Sequence, residues 1–200
     1  MLFRSTYNGV ALLTRKPVED LVFNIPGFQD EMARVITGTV DGIRLVGAYF
    51  PNGQSPESEK FVYKMAWLHA LRNWLQQELV RFPKLVLMGD FNITFDDRDV
   101  WDPVGLAGTI HCTDQERSQL QQLTDLGLTD AFRLFEQPAK SYSWWDYRDL
   151  AFRRNRGLRI DHVLVSTALK PIVKACVIDK TPRKNERPSD HTPVVLTLGA

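Results

Sequence analysis

The stretch Lys84-Leu85-Val86-Leu87-Met88-Gly89-Asp90-Phe91-Asn92 constrains the fold more than any other. An unbroken apolar run of strand length, rich in Val and Leu, reads as a buried strand. It stops abruptly at Gly, Asp and Asn, so a rigid element delivers polar side chains to its end. In open α/β sheets the ligand crevice lies outside the carboxyl ends of the strands, which is where Asp90 and Asn92 would stand. Gly-Asp-x-Asn is also good turn chemistry. The rest of the chain has to decide between a site and a turn.

Patterning on either side is that of an α/β protein. Residues 9–14, Gly-Val-Ala-Leu-Leu-Thr, read as an early strand. The runs 34–40 and 43–50 are rich in β-branched residues and are separated by Asp41-Gly42, a strong hairpin signal. Ser55-Pro56 predicts a helix start, with Ser55 as N-cap and Pro56 at the first helical position. Phe61, Met65, Leu68, Leu71, Leu75 and Leu79 then form one apolar face. Tyr63, Trp67 and Trp74 read as packing and rim residues. The Asp96-Asp97-Arg98-Asp99 cluster lacks the glycine and ligand pattern of a calcium loop and reads as a solvated loop. Thr113 and Glu116 fit a capping box ahead of Leu120, Leu123 and Leu126, with an end at Gly127. Further strands are expected at 158–165, 172–178 and 194–198.

A chain of 200 residues, 44% apolar, is expected to form a single domain over residues 1–200. Its formal charge of +1 leaves polyanion binding to local clusters, and basic residues gather from Arg148 onward. That segment reads either as solvated surface or as a face for a phosphate backbone. The two cysteines, Cys112 and Cys176, have no C-x-x-C spacing, so neither a disulfide framework nor a structural zinc site is indicated. No apolar run approaches the roughly 18 residues of a membrane span, and a cytoplasmic, reducing location is expected.

Polar residues recur at strand ends or inside apolar strands: Tyr49, Asp90 with Asn92, Asp161, and Asp190 with His191. Phosphodiester hydrolysis needs a group that activates water, charge neutralisation at the phosphoryl oxygens, and a proton for the leaving oxygen. A divalent ion held by carboxylates supplies the second requirement. Asp161 behind His191 would make a carboxylate–imidazole pair, since an unpaired carboxylate in an apolar strand is costly. Asp90 would transfer a proton, and Asn92 would hold a phosphoryl oxygen or the nucleophile. Taken singly, these are turn residues, an ion-pair partner, a surface histidine and a packed tyrosine. The aromatic and arginine residues between Ser141 and Arg156 suit either a core strand with a loop or a surface that enters a nucleic-acid groove or stacks on an exposed base or sugar.

The chain resembles the exonuclease III family of DNA-repair nucleases, within the endonuclease/exonuclease/phosphatase superfamily that includes DNase I. The similar stretches lie in family order: Tyr7 to Leu13, Gly47 to Gly53, Met88 to Asn92, Ser143 to Arg148, Arg156 to Asp161 and Pro188 to Val194. The resemblance implies a four-layer α/β sandwich of two packed mixed sheets flanked by helices, acting as a 3′ to 5′ exonuclease and abasic-site endonuclease in base-excision repair. It implies Mg²⁺, with Mn²⁺ as the alternative, and double-stranded and abasic-site DNA as partners, without a membrane or an obligate protein partner. It assigns Tyr49, Asp90, Asn92, Asp161 and His191 to catalysis and Asp190 to the metal. Asn52, Trp144, Trp145, Arg148 and Arg156 are assigned to DNA. Ahead of the part resembling this chain, the family has a strand ending Asn-x-Asn and another ending Gln-Glu-x-Lys, whose glutamate is the principal metal ligand. Neither motif occurs here, so the expectation is a sandwich incomplete at its N-terminus. A truncated, non-catalytic DNA-binding remnant is the alternative.

Overall fold

The computed structural model describes residues 9–199. Tyr7 and Asn8, which open the first family-like stretch, lie outside them. Eight strands occur in the order β1 (Glu19–Phe23), β2 (Val35–Val40), β3 (Ile43–Tyr49), β4 (Leu85–Asp90), β5 (Leu128–Asp130), β6 (Asp161–Ser166), β7 (Val173–Ile178) and β8 (Val194–Leu198). Helix α1 spans Glu59–Arg81 and α2 spans Asp114–Thr124. Six strands form one mixed sheet in the order β1-β2-β3-β4-β6-β5, and β7 and β8 form a separate antiparallel pair. The β3–β4 pairing is parallel and is bridged by α1, whereas the other pairings of the large sheet are antiparallel.

The large sheet is covered on both faces, which accounts for the unbroken apolar run in β4. Its side chains alternate: Leu85 and Leu87 pack with Val46, Trp67, Leu71 and Leu75 under the helices. Val86 and Met88 face the opposite way, into a second core with Val163, Val165, Cys176 and Leu196. Helices, mixed sheet and second sheet therefore stack in layers, as expected. Among the described residues the second sheet is the β7–β8 pair, with Val177 and Val195 exposed on its outer side.

The Asp41-Gly42 turn closes the β2–β3 hairpin, with φ of 53° and 71° at its two residues, the left-handed geometry that the tightest hairpins require. The capping box at Thr113 is present in full. Three expectations need correction. Residues 9–14 form no strand, because the ladder position beside β2 is taken by Glu19–Phe23, which enters through a bulge. The N-cap of α1 is Ser58 and not Ser55: its hydroxyl accepts from the Phe61 amide at 3.2 Å and donates to the Gly53 carbonyl at 2.6 Å, and Ser55-Pro56 belong to the preceding turn. The 96–99 cluster is only partly solvated. Asp99 is fully buried and binds the guanidinium of buried Arg159 through both oxygens, at 2.7 and 2.9 Å.

Helix α1 also buries two ionised side chains that its apolar periodicity hides. Glu78 pairs with Arg44 of β3 at 2.7 Å, both almost without exposure. Lys64 pairs with Glu116 of α2 at 2.5 Å, with no exposure of either side chain.

Candidate active site

The register of the large sheet builds the site. Tyr49 lies beside Asp90 in the β3–β4 ladder, and Asp90 lies opposite Asp161 in the β4–β6 ladder. Strands β3 and β4 thus end, and β6 begins, at one level, each with a polar side chain there. Gly89 makes the geometry at the end of β4 accessible: its φ is 140°, and a Cβ there would stand 2.0 Å from the Ala48 carbonyl oxygen. Only glycine fits so close to the neighbouring backbone.

The segment Ser143–Trp145 joins His191 to this edge. Its backbone lies between Leu158 and the 190–192 segment, with Ser143 and Trp144 amides donating to the Leu158 carbonyl, the Trp145 amide to Asp190, and Thr192 to Ser143. The buried Ser143 hydroxyl accepts from the amides of Ile160 at 3.2 Å and Asp161 at 3.0 Å, fixing the start of β6. His191 is held so that its Nδ1 meets the Asp161 carboxylate at 2.9 and 3.0 Å, while Nε2 lies 4.0 Å from Asp90. Asp161 is therefore the first residue of β6 and partly exposed, not an interior strand residue, and His191 is the partner its charge requires.

Two carboxylates facing each other across a ladder repel. Burial and then the Asp161 charge raise the Asp90 pKa, and His191, the Asn92 amide and Lys64 restrain it at about 7. Burial lowers the pKa of His191, but the hydrogen bond and charge of Asp161, with the charges of Asp90 and Asp190, outweigh it and raise the value to about 9. At neutral pH the imidazole is thus a cation, and Asp90 is poised between acid and base. Burial and Asp90 raise the Tyr49 pKa against Arg34, so the phenol remains a donor.

Asn92, expected to hold a phosphoryl oxygen or the nucleophile, is tied closely to Asp90. It is buried, with φ of 51°, and its Nδ2 donates to the Phe50 carbonyl at 3.1 Å and to Asp90 at 3.0 Å. Its Oδ1 accepts from Asn52 at 3.2 Å, which braces the amide beside the Asp90 carboxylate. The sequence reading passed over three residues beneath it. Lys64 and His111 both donate to the Asn92 carbonyl, at 2.8 and 2.6 Å, and Glu116 accepts from Lys64 and from the His111 amide. The capping box signalled Glu116, but nothing in the sequence ties Lys64 or His111 to it.

Comparison with known proteins agrees with this geometry. A family model described as "Endonuclease/Exonuclease/phosphatase family" matches residues 3–191. The chain belongs to this family. Within it the match is to exonuclease III: the Haemophilus influenzae exodeoxyribonuclease III is 34% identical over 93% of this chain and 74% of its own length. The zebrafish DNA repair nuclease APEX1 is also 34% identical, over 96% of this chain and 61% of its own. Among solved structures, a Neisseria 3′ phosphatase, NExo, bound to a product DNA hairpin, superposes with a TM-score of 0.92 at 42% identity, covering 94% of this chain and 73% of that one. An AP endonuclease from Archaeoglobus fulgidus superposes with a TM-score of 0.88 at 30% identity, covering 92% and 72%.

Exonuclease III relatives are metal-dependent nucleases. Among the described residues, one group of three or more candidate metal-ligating side chains occurs, Asp90, Asp161 and His191, with ligand atoms within 4.8 Å of one another. No glutamate belongs to it. The two carboxylates of this set offer the oxygen donors that a hard divalent cation takes. Asp190 lies outside that trio but near enough that its charge acts on His191 and Tyr49, and its Oδ2 accepts from Trp144 Nε1 at 3.0 Å.

The residues expected at DNA divide into two kinds. Asn52, Arg148 and Arg156 are exposed, and the Arg156 guanidinium lies 4.9 Å from the centre of the Trp101 ring. Trp144 is half-buried and holds Asp190. Trp145 needs correction: it is fully buried, donates to Asn155 at 3.2 Å and meets Phe152 edge-on, because residues 146–156 fold over it. It is the core of that loop and offers no face to DNA.

Next to Asp161, His162 is buried, its Nε2 donating to the Ile93 carbonyl at 2.8 Å and its Nδ1 accepting from Arg159 at 3.1 Å. A second proton would face the guanidinium. Burial and Arg159 accordingly lower its pKa to about 4. The unfolded chain binds that proton near pH 6.5 and the folded chain only near 4, so His162 contributes stability above about pH 6.5 that is lost as pH falls toward about 4. The stability advantage of the parent over His162→Gln, measured by urea unfolding, should therefore shrink across that window. A pH-independent difference would contradict a neutral buried His162.

Proposed function

We propose that this chain is a metal-dependent DNA-repair nuclease that hydrolyses phosphoester bonds at 3′ ends of DNA, with cleavage beside abasic sites as a second activity. The observation that carries the reading is the Asp90–His191–Asp161 array at the common edge of β3, β4 and β6. The 3′ phosphatase and 3′–5′ exonuclease named among the relatives, 42% and 43% identical, support work on 3′ ends. The AP endonuclease of Archaeoglobus supports the abasic-site activity. Residues 1–200 act as one domain, and the free, buried Cys112 and Cys176 fit a reducing cytoplasm.

Asp90, as carboxylate, takes a proton from the attacking water while its oxygen bonds to phosphorus. The bond from phosphorus to the leaving oxygen breaks, and the same proton passes to that oxygen. Asp161 holds the His191 tautomer through Nδ1, so the Nε2–H of the imidazolium faces the charge developing on the phosphoryl oxygens. Tyr49 donates from the opposite side, and Asn92 keeps Asp90 aimed. A Mg²⁺ ion held by the carboxylates of the site, Asp190 included, would neutralise phosphoryl charge when bound. Asn52, Arg148 and Arg156 lie on the surface that would follow the DNA backbone, with affinity falling as salt rises.

Three labelled duplexes test the reading: one with a recessed 3′ phosphate, one with a recessed 3′ hydroxyl and one with an internal abasic site, each with MgCl₂ or MnCl₂ and with chelator. The expected result is metal-dependent release of phosphate or nucleotide from the first two, abolished by chelator. Salt-sensitive DNA binding with no product from any duplex in either metal would overturn the enzymatic reading and leave a DNA-binding protein.

A further inference from the structure

We propose that Lys64 is a positioning residue of this site, holding the backbones of Asn52 and Asn92 so that Asn92 presents Asp90 in its working orientation. This deepens the proposed function and rests on it. Lys64 lies in the second turn of α1, and its side chain is completely buried. A buried ammonium must spend all three donors. Here they go to the Asn52 carbonyl at 3.1 Å, the Asn92 carbonyl at 2.8 Å and Glu116 at 2.5 Å. Two of the three acceptors are thus backbone oxygens of the two asparagines at the site, and the third is a carboxylate that cannot move. Glu116 is pinned by the capping box of α2, accepting from the Thr113 amide at 3.2 Å and hydroxyl at 2.8 Å.

The need for such a hold lies in Asn92. A non-glycine residue at φ 51° occupies a sparsely populated region and persists when its surroundings fix it. The Asn92 carbonyl receives two donors, Lys64 and His111, which set the peptide plane from below. Its side chain then runs upward to Asp90, braced by Asn52. The path is one of contiguous hydrogen bonds from a charged group without solvent contact to the proposed base. Burial lowers the Lys64 pKa, opposed by the charge and hydrogen bond of Glu116.

A buried ion pair adds little net stability, and the same helix contains a second one for comparison. The pair Arg44–Glu78 is almost as dry, and its other contacts include the Asp20 carbonyl, the Thr39 hydroxyl, Arg81 and the Phe82 ring, none of which belongs to the site. Lys64→Met/Glu116→Gln and Arg44→Met/Glu78→Gln are therefore matched removals, near and away from Asp90. On the 3′-phosphate duplex with Mg²⁺, the first should lower kcat by about 10-fold to 10²-fold with KM within about three-fold, whereas the second should leave both near the parent values. The second readout does not depend on turnover: hydrogen exchange at the Asn92 Nδ2 amide, followed by NMR, should be slow in the parent and in the Arg44/Glu78 variant and fast in the Lys64/Glu116 variant. Lys64→Gln, a smaller perturbation, should show the same direction if the double variant does not fold. Slow Asn92 exchange in the folded Lys64 variants, or equal loss of kcat in both pairs, would overturn the proposal. An inactive parent with the predicted exchange pattern would count against the enzymatic reading and support the clamp.

Discussion

His191→Ala is expected to lower turnover by on the order of 10² or more, the loss typical of a positioned proton-handling group. The imidazole is the one cationic side chain the structure places between Asp161 and Asp90, and its pKa of about 9 depends on those carboxylates. Its removal takes away the donor facing phosphate. It also leaves Asp90 and Asp161 opposed without the imidazolium, raising Asp90 further and reducing the base form at neutral pH. Asp161→Asn should fall in the same direction, because an amide can pair with the wrong imidazole tautomer. The measurement is single-turnover product formation at saturating DNA, with binding followed separately. Turnover of His191→Ala within a few-fold of the parent, at unchanged folding, would remove His191 from the chemistry.

The largest effect on stability is expected at a residue outside the reaction. Asp99→Ala should cost about 3–5 kcal/mol in urea unfolding, the range for breaking a buried pair from one side. Asp99 is fully buried, binds Arg159 with both oxygens, contacts Arg133, and accepts from the Phe95 amide at 3.1 Å. Without it, the Arg159 guanidinium keeps only Asp130, at 2.8 Å, as a charged partner. The Phe95 amide is also left unpaired. A loss below about 1 kcal/mol would show that the network tolerates an uncompensated guanidinium and that its charges are not mutually dependent.

Much of the site was legible in residues 84–92. An apolar run of that length reads as a covered strand, and the Gly-Asp-x-Asn that ends it offered a site or a turn until Asp161 and His191 joined it. The hairpin at Asp41-Gly42 and the capping box at Thr113 were equally plain, because each depends on contacts within a few residues. The failures share a different cause. Ser55 has the composition of an N-cap, yet Ser58 takes the role because the 53–55 turn holds its hydroxyl. Residues 9–14 have strand composition, yet β1 forms later because the partner β2 selects Glu19–Phe23. Trp145 has the chemistry of a DNA contact, but the loop that follows it decides whether the ring is exposed.

Residue type and local periodicity in the sequence determined the α/β class, and the resemblance of its motifs to a known family determined the family and grouped Tyr49, Asp90, Asp161 and His191 as the polar residues of one site. The tertiary structure decided how those residues share their work. The end of the strand still delivers Asp90 and Asn92, and the Asn92 side chain donates to Asp90 and to the Phe50 carbonyl. Beneath both, Lys64 of α1 and Glu116 of α2, 52 residues apart, meet in a dry contact that no local pattern announces. Burial and charge depend on what the completed fold brings to each position, and so only the fold sets which carboxylate is poised to accept a proton.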